Sequence, residues 1–351
     1  MSLRLFQATI GASRRLAGAL VVASAFLLAG CSASSPTGGG PRTYSLPSPP
    51  HPGPNDAWIV SPQRAEELLG TEDLKIIGSK DAGAGVTGAS RFELESTKDG
   101  TKFKAKWKPI PRYLDSWNNS PRHELAAYEV QKLFLDPEDY LVPTSAARCI
   151  AVDRYGVVFK GAKANLDDSK CVLGVLSLWL ENVKVDPPLY VEERFPKDPN
   201  YAYHLANFNT LTVLIDHKDG RTSNFLVSKN EADRRTYSID NGISFDAWLW
   251  NWFVPNWDDM RVPAMSRKAV ERLRKVKAGD IEKFGVLAEL RLDKDGIYRP
   301  VPPGPNLDPT RGVRTAPGVV QFGLDADEVE DVAEKIEELL EMVDSGKLPT
   351  F

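Results

Sequence analysis

Cysteine and histidine are scarce in this sequence, and the familiar metal-binding patterns are missing. Three cysteines and four histidines occur among 351 residues, and neither a CxxC nor an HExxH pattern is present. The common zinc sites need such patterns and are therefore not expected. A basic excess is also lacking, since the formal net charge is −4. That balance argues against a general nucleic-acid-binding protein.

Long hydrophobic runs are absent as well. The apolar stretch 16–28 has 13 residues and is too short to span a bilayer. It follows Arg4, Arg14 and Arg15, and a basic start before a short apolar run is typical of a secretory signal peptide. We therefore assign residues 1–30 to a signal peptide. Without it the chain has 41 basic and 48 acidic residues, a net charge of −7.

The apolar stretch ends in the sequence LAGC, whose cysteine is Cys31. This ending resembles the lipobox of bacterial lipoproteins. The resemblance implies cleavage before Cys31 and acylation of its thiol, for example with palmitate. The protein would then be anchored to a membrane of the bacterial cell envelope, facing the periplasm or the exterior. The alternative is an ordinary secretory signal in which this cysteine stands by chance.

Serine, glycine and proline dominate residues 31–55, and apolar residues are almost absent there. Such a segment buries no core, so we predict a disordered tether. About 295 residues remain, enough for a two-lobed enzyme or for two small domains. Cys149 and Cys171 lie in this part. The sequence leaves open whether they form a disulfide or remain two buried thiols.

A glycine-rich stretch occurs early in the folded part. Residues 83–88 read GAGVTG, a GxGxxG pattern built on Gly83, Gly85 and Gly88. A dinucleotide-binding fold would continue with a helix. The next apolar residues instead alternate in two short runs separated by a turn, which predicts two strands. The glycines therefore indicate either a flap over nucleotide phosphates or a flexible hairpin tip.

Three lysines share one face of the second of these strands. Lys104, Lys106 and Lys108 alternate with apolar residues, and spacing alone does not decide which of them would reach the phosphates of a bound ATP. A helix is predicted over 119–134, where a serine and a proline stand at the start. Glu124 in its first turn either faces the lysine strand or stabilises the helix dipole.

A trio of polar residues follows later in the chain. Asp219 precedes Asn224 by five positions, and Asp240 ends a short apolar run beyond them. Two short strands with these polar residues at their ends would place the three side chains close together. Phosphoryl transfer uses such a set, because one Asp positions the attacking hydroxyl while an Asn and a second Asp hold Mg²⁺. The alternative is a pair of ordinary turns, since HKDGR and DNG both favour turns.

Four motifs in chain order carry a resemblance to known kinases. The WKP of 107–109 resembles the lysine motif of the secreted, Golgi-type casein kinases and of the type II phosphatidylinositol 4-kinases. The RHELAAY of 122–128 resembles the glutamate helix of the secreted kinases. The DGRTSN of 219–224 and the IDNG of 239–242 resemble the catalytic loop and the metal-binding motif of the type II lipid kinases.

This resemblance implies a role for each matching position. Lys108 would bind phosphate, and Glu124 would hold Lys108. Asp219 would be the catalytic aspartate, while Asn224 and Asp240 would bind Mg²⁺ or Mn²⁺. Gly83, Gly85 and Gly88 would cover the phosphates of ATP.

The resemblance also implies an α+β, two-lobed protein-kinase-like fold. A small lobe with an antiparallel sheet would span 56–176, and a mainly helical lobe would span 177–351. The apolar stretch 171–183 suits the hinge between them, with backbone groups near Ser177 and Glu181 meeting adenine. An ordinary buried strand fits that stretch equally well.

Two later segments are also distinctive. Residues 245–255, FDAWLWNWFVP, form the densest aromatic patch, which either anchors a core or touches membrane or substrate. Residues 325–345 predict an acidic amphipathic helix capped by Gly346.

We therefore predict a lipid-anchored kinase outside the cytoplasm. It would transfer the γ-phosphoryl group of ATP to a hydroxyl of a protein, a lipid or a glycan. The alternative is a pseudokinase that binds a nucleotide or a partner without turnover.

Overall fold

The computed structural model describes residues 40–48, 50–51, 53–81, 89–111, 120–245 and 256–351. Its architecture is α+β with antiparallel sheets, as the sequence predicts. The predicted signal peptide, Cys31, the glycine stretch with Gly83, Gly85 and Gly88, and most of the aromatic patch lie outside the described residues. Among the residues that are described, no helix has both the length and the apolar character needed to cross a membrane.

The first sheet is built from the strands around the three lysines. Its described strands lie in the order β1-β2-β3-β5-β4 and pair antiparallel. Phe92, Phe103 and Trp107 alternate with polar neighbours and point into the core, so period-two patterning fixes which face is buried. The strands are β1 (Leu74–Asp81), β2 (Ser90–Ser96), β3 (Lys102–Pro109), β4 (Ser145–Ala151) and β5 (Cys171–Leu178).

Three helices accompany this sheet: α1 (Pro62–Gly70), α2 (Pro121–Gln131) and α3 (Val152–Gly156). Helix α2 is the helix predicted from the serine and proline at its start, and ten of its 11 residues are buried. It packs against β4, β5 and a long helix of the following part. Because it is enclosed by these elements, its polar residues need partners inside the protein.

The part after β5 carries a second, smaller sheet and a central helix. Strands β6 (Val183–Lys184), β7 (Phe225–Ser228) and β8 (Thr236–Ser238) pair antiparallel in sequence order. Helix α4 (Pro199–Leu214) begins at Asp198, whose side chain accepts a hydrogen bond from the Tyr201 amide. Every residue of α4 from 201 to 214 is buried. The helix therefore forms the core on which the loop after it rests.

A third sheet was not predicted from the sequence. Its strands are β9 (Ala288–Leu292), β10 (Tyr298–Val301), β11 (Val313–Ala316) and β12 (Val319–Phe322), in the order β10-β9-β12-β11. Pro300 lies in β10, and because β10 is an edge strand its missing N–H costs little. Leu290 and Phe322 of this sheet share a buried cluster with residues of β4 and β5, so the sheet packs on the first one.

The remaining helices are α5 (Arg267–Leu273), α6 (Ala278–Glu282) and α7 (Ala326–Asp344). Helix α7 is the predicted amphipathic helix, with Val332, Ile336, Leu339 and Val343 buried along one stripe. Asp325 caps its start together with Glu328. Gly346 follows its end with φ of +71°, the left-handed conformation that favours glycine after a helix.

Cys149 and Cys171 form a disulfide that joins β4 to β5. The pairing resolves the alternative that the sequence left open. The two cysteines belong to the cluster between the first and third sheets, so the bond lies under the packed third sheet.

The described part of the predicted disordered tether packs on the folded body instead. Tyr44 donates its amide to the Thr350 carbonyl at 2.7 Å, and its ring packs edge-on against Phe195 at 5.7 Å. Asn55 accepts a hydrogen bond from the Tyr237 hydroxyl at 2.6 Å. Composition missed these contacts because a few well-placed side chains and backbone pairs hold an otherwise polar segment.

Candidate functional site

A cavity of about 320 Å³ opens where β3 and β5 meet the second sheet. Its walls combine apolar and charged side chains. Pockets of this size hold small ligands in many proteins. Its lining includes Lys106, Glu124, Ser177, Glu181, Ile239 and Asp240.

Lys108 contacts two of these charged side chains and is almost completely buried, with 2% of its surface exposed. Its Nζ lies 3.3 Å from Glu124 Oε1 and 2.9 Å from Asp240 Oδ1. Burial favours the neutral amine, but these two carboxylates outweigh burial and raise the pKa of Lys108 above its ordinary value. The lysine is therefore a fixed positive charge that joins α2 to the turn after β8.

Glu124 is held from both sides. Its second oxygen, Oε2, accepts hydrogen bonds from the Asn241 amide at 3.1 Å and from Asn241 Nδ2 at 3.4 Å. The Ser238 hydroxyl in turn donates to Asn241 Oδ1 at 2.6 Å. Both carboxylate oxygens of this buried glutamate therefore have partners, as a buried charge requires.

The position of α2 is set by a second group of buried charges. Arg122 donates to both carboxylate oxygens of Glu328, and His123 Nε2 lies 3.0 Å from Glu328 Oε1. Burial alone would raise the pKa of Glu328, but the hydrogen bonds and charges of His123 and Arg122 lower it to about 2. His123 Nδ1 also lies 3.0 Å from the Gly242 carbonyl. These contacts fix α2 relative to both α7 and the turn that carries Asp240.

Asp240 pairs with two lysines. Its Oδ1 lies 2.9 Å from Lys108 Nζ and 3.1 Å from Lys106 Nζ. Burial opposes ionisation, but the two lysines outweigh it and hold the pKa of Asp240 well below its usual range. Its φ of +59° is left-handed, a conformation that aspartate adopts more readily than most residues but that still costs energy.

Backbone strain extends to the neighbouring chain segments. Asp216 has φ of +47° and Phe245 has φ of +57°, and the Phe245 amide donates to the Ile215 carbonyl at 2.7 Å. A positive φ is unusual for a residue as bulky as phenylalanine. Such outliers cluster at functional sites in proteins, and these two lie in the segments that flank Asp219 and Asp240 in the sequence.

Asp219 and Asn224 lie together in the loop after α4. A 3₁₀ turn over Thr222–Asn224 lets Asn224 Nδ2 donate to Asp219 Oδ2 at 3.0 Å and to the Asp219 carbonyl at 3.1 Å. The Ile239 amide donates to the Asn224 carbonyl at 2.9 Å. The five-residue step from Asp to Asn therefore closes a compact loop beside the residue that precedes Asp240.

Arg221 covers the carboxylate of Asp219. Its Nε lies 2.7 Å from Oδ1 and its second guanidinium nitrogen 2.6 Å from Oδ2. Asp219 is 2% exposed, whereas the Arg221 side chain is 47% exposed. The hydrogen bonds to Asp219 raise the pKa of Arg221, so the guanidinium stays charged at the surface of the loop.

His217 supports this loop from below. Its Nδ1 accepts a hydrogen bond from the Asp219 amide at 3.3 Å. Burial is the largest influence on the ring and lowers the pKa of His217 to about 4. The ring is therefore neutral near pH 7 and holds the Asp219 backbone in place rather than exchanging protons.

The structure brings most of the predicted site residues into two contiguous groups. Lys108, Glu124 and Asp240 form one group, and Asp219 and Asn224 form the other, joined to it through Ile239.

Ser177 and Glu181, near which the hinge was predicted, both line the cavity, and both have partners within the protein. Ser177 Oγ lies 2.7 Å from Ser145 Oγ, and Glu181 pairs with Lys104 at 2.7 Å. The Glu181 amide donates to the Ala57 carbonyl.

Sequence reasoning did not assign Lys106 or Arg221 to the site. Alternation places Lys106 on the same strand face as Lys108, which was a usable but ambiguous signal. Arg221 follows Asp219 by two positions, and only the folded loop shows that its guanidinium reaches the carboxylate.

No model of a known protein family matches the chain, and the search of curated proteins returns no significant match.

Proposed function

We propose that the protein is a two-lobed, kinase-like phosphotransferase that binds ATP in the 320 Å³ cavity. The observation that carries the proposal is the contact of Lys108 with Glu124 and Asp240, two carboxylates that line that cavity. These residues are 132 positions apart at the extremes, yet they form the lysine–glutamate pair and the nearby aspartate that phosphoryl transfer uses.

The order of elements supports the same proposal. A glycine stretch joins β1 to β2, the lysine lies on β3, and the glutamate lies on the helix after it. This is the arrangement of a glycine flap, a nucleotide lysine and its partner glutamate in kinases. Residues 56–176 would form the small lobe and residues 177–351 the larger one.

The oxygen donors present fit a hard divalent cation. Asn224 uses its nitrogen for Asp219, while its amide oxygen has only a long contact of 3.5 Å with Ser223 Oγ among the described residues. Asp240 supplies a carboxylate of lowered pKa. Mg²⁺ and Mn²⁺ prefer such oxygen ligands. Among the described residues no group of three histidine, cysteine or acidic side chains forms a metal site, so bound phosphates would supply the remaining ligands, as in other kinases.

In this proposal the ion, when bound, neutralises the phosphates, and the chain positions the reactants. Asp219 would accept the hydroxyl proton of a protein, lipid or glycan acceptor. Arg221 would have to release Asp219 and could then face the transferred phosphoryl group. The proposed protein is anchored through an acylated Cys31 to a membrane of the bacterial cell envelope.

A pseudokinase is the second candidate. It is favoured because both aspartates are already paired with basic side chains. Arg221 covers Asp219, and two lysines neutralise Asp240. Such a protein would bind the nucleotide without turnover.

Phosphate transfer separates the two candidates. Wild-type protein and Asp219→Asn would be incubated with γ-labelled ATP and Mg²⁺ or Mn²⁺, and release of label or self-labelling would be measured. A kinase loses at least about 100-fold of its rate in Asp219→Asn, since positioned acid–base groups contribute that much. Nucleotide binding with no wild-type turnover would favour the pseudokinase.

A further inference from the structure

Lys106 and Lys108 approach the same carboxylate oxygen from different environments. Lys106 Nζ lies 3.1 Å and Lys108 Nζ 2.9 Å from Asp240 Oδ1. The side chain of Lys108 is 3% exposed, and that of Lys106 is 18% exposed and lines the cavity. The two lysines alternate along β3 and point to the same face of the sheet.

Their partners differ as well. Lys108 has a second carboxylate partner, Glu124, at 3.3 Å, which would still match its charge if Asp240 changed partners. Lys106 pairs with Asp240. A divalent cation that binds Asp240 would therefore leave Lys106 as a charged amine at the cavity wall, where desolvation favours an anionic partner.

From this geometry we infer that Lys106 is a second phosphate-binding lysine of the site, and the one that faces the ligand. The inference rests on the proposed function and assigns to Lys106 a direct contact with the phosphate chain of the nucleotide. Lysine suits this contact, because a mobile ammonium on a long stem binds phosphate as a point charge. Lys108 supplies the buried positive charge beside this contact and also keeps Glu124 and Asp240 in place.

Lys102 provides a matched control on the same strand face. Its side chain is 68% exposed, and it pairs with Glu95 at 3.5 Å, away from the cavity-lining residues. Changing Lys102 to alanine removes one lysine and the same net charge from β3 without touching the site.

The test is a calorimetric titration of the full-length protein with ATP, and separately with adenosine, both with Mg²⁺. Wild type would be compared with Lys106→Ala, Lys106→Arg and Lys102→Ala. We expect Lys106→Ala to weaken ATP binding about tenfold or more while adenosine binding changes less than about twofold, because adenosine lacks phosphates. Lys106→Arg should recover part of the loss, and Lys102→Ala should match the wild type.

The outcomes separate this inference from the proposed function. Equal ATP affinity in Lys106→Ala and wild type would overturn the inference alone. So would an equal loss of ATP and adenosine affinity, which would mean that Lys106 only shapes the cavity. A wild-type protein that binds neither ligand would overturn the proposed function and this inference with it.

Discussion

At the scale of single residues, the site depends on buried charges that have matched partners. Lys108 and Asp240 meet at 2.9 Å inside the protein, and Glu124 is bound by Lys108 on one side and by Asn241 on the other. Removing one member of such a group leaves an uncompensated buried charge, which is more costly than the loss of the contact itself.

We therefore expect Lys108→Met to lower the free energy of unfolding by about 3 kcal/mol, since both acidic partners lose their buried cation. Urea unfolding at pH 7 measures this change. The control Lys102→Met removes an exposed lysine and should change stability by less than about 0.5 kcal/mol. Equal stabilities of the two variants would mean that Lys108 is not the buried centre of the group.

The buried carboxylate of Glu328 predicts that the free energy of unfolding depends on pH. The pKa of Glu328 is lowered to about 2 in the folded protein, below the ordinary value of about 4.3 in an unfolded chain. Its stabilising contribution is therefore complete above about pH 5 and is lost progressively as the pH falls toward 2. Glu328→Gln should be less stable than wild type at pH 7, and this difference should narrow by pH 3.

The exposed Glu330 of the same helix supplies the control, because Glu330→Gln should follow the wild-type curve. Unfolding free energies at pH 7, 5 and 3 provide the comparison. A gap between Glu328→Gln and wild type that stays constant from pH 7 to pH 3 would contradict the assigned role of the carboxylate.

At the scale of elements, the alternation of apolar and polar residues predicted a strand, and a serine followed by a proline predicted the start of a helix. In the strand with the three lysines, Phe103, Ala105 and Trp107 are buried on one face, as the period of two indicates. Helix α2 begins at Pro121, directly after the predicted capping serine. Both features depend on neighbouring residues alone and are therefore readable from one sequence.

Tertiary contacts decided what the sequence did not reveal. Strands β9 to β12 are short, and a proline-rich segment separates β10 from β11. They share a buried cluster with β4 and β5, and such tertiary packing decides strand formation more than local preference does. The bidentate contact of Arg122 with Glu328 joins positions 206 residues apart, for which local spacing carries no signal. The left-handed backbone at Asp240 likewise follows from its surroundings.

The disulfide between β4 and β5 gives a prediction at this scale. The bonded cysteines are 22 positions apart, and a loop of this size contributes about 3 kcal/mol by restricting the unfolded chain. Changing both Cys149 and Cys171 to serine should therefore lower the free energy of unfolding by about 2–4 kcal/mol. Affinity for ATP, measured on the same samples, should change less than about twofold, because neither cysteine lines the cavity. A large loss of affinity with unchanged stability would contradict this account.

At the scale of the whole molecule, the segment before α1 contacts parts of the fold that are distant from it in the sequence. Tyr44 reaches Thr350 and Phe195, and Asn55 bonds Tyr237, so residues 40–55 touch both the C-terminal end and the second sheet. Composition predicted a loose tether there, because it registers the polar residues and not these particular contacts.

A chain that begins at residue 56 should consequently be less stable than one that begins at residue 39. The loss should be about 2–4 kcal/mol, the range expected when one or two partly buried aromatic or apolar side chains lose their contacts. Thermal and urea unfolding of the two proteins measure the difference. Identical unfolding curves would show that the segment contributes nothing to the fold.

Nucleotide binding at Asp240 is the central claim, and the melting temperature tests it most directly. A ligand that binds only the folded protein raises its melting temperature by mass action. We predict a rise with ATP plus Mg²⁺ or Mn²⁺ in the wild type, and no rise in Asp240→Ala, whose carboxylate is replaced by a methyl group. The same rise in both proteins would place the nucleotide elsewhere, and no rise in the wild type would contradict the proposed function.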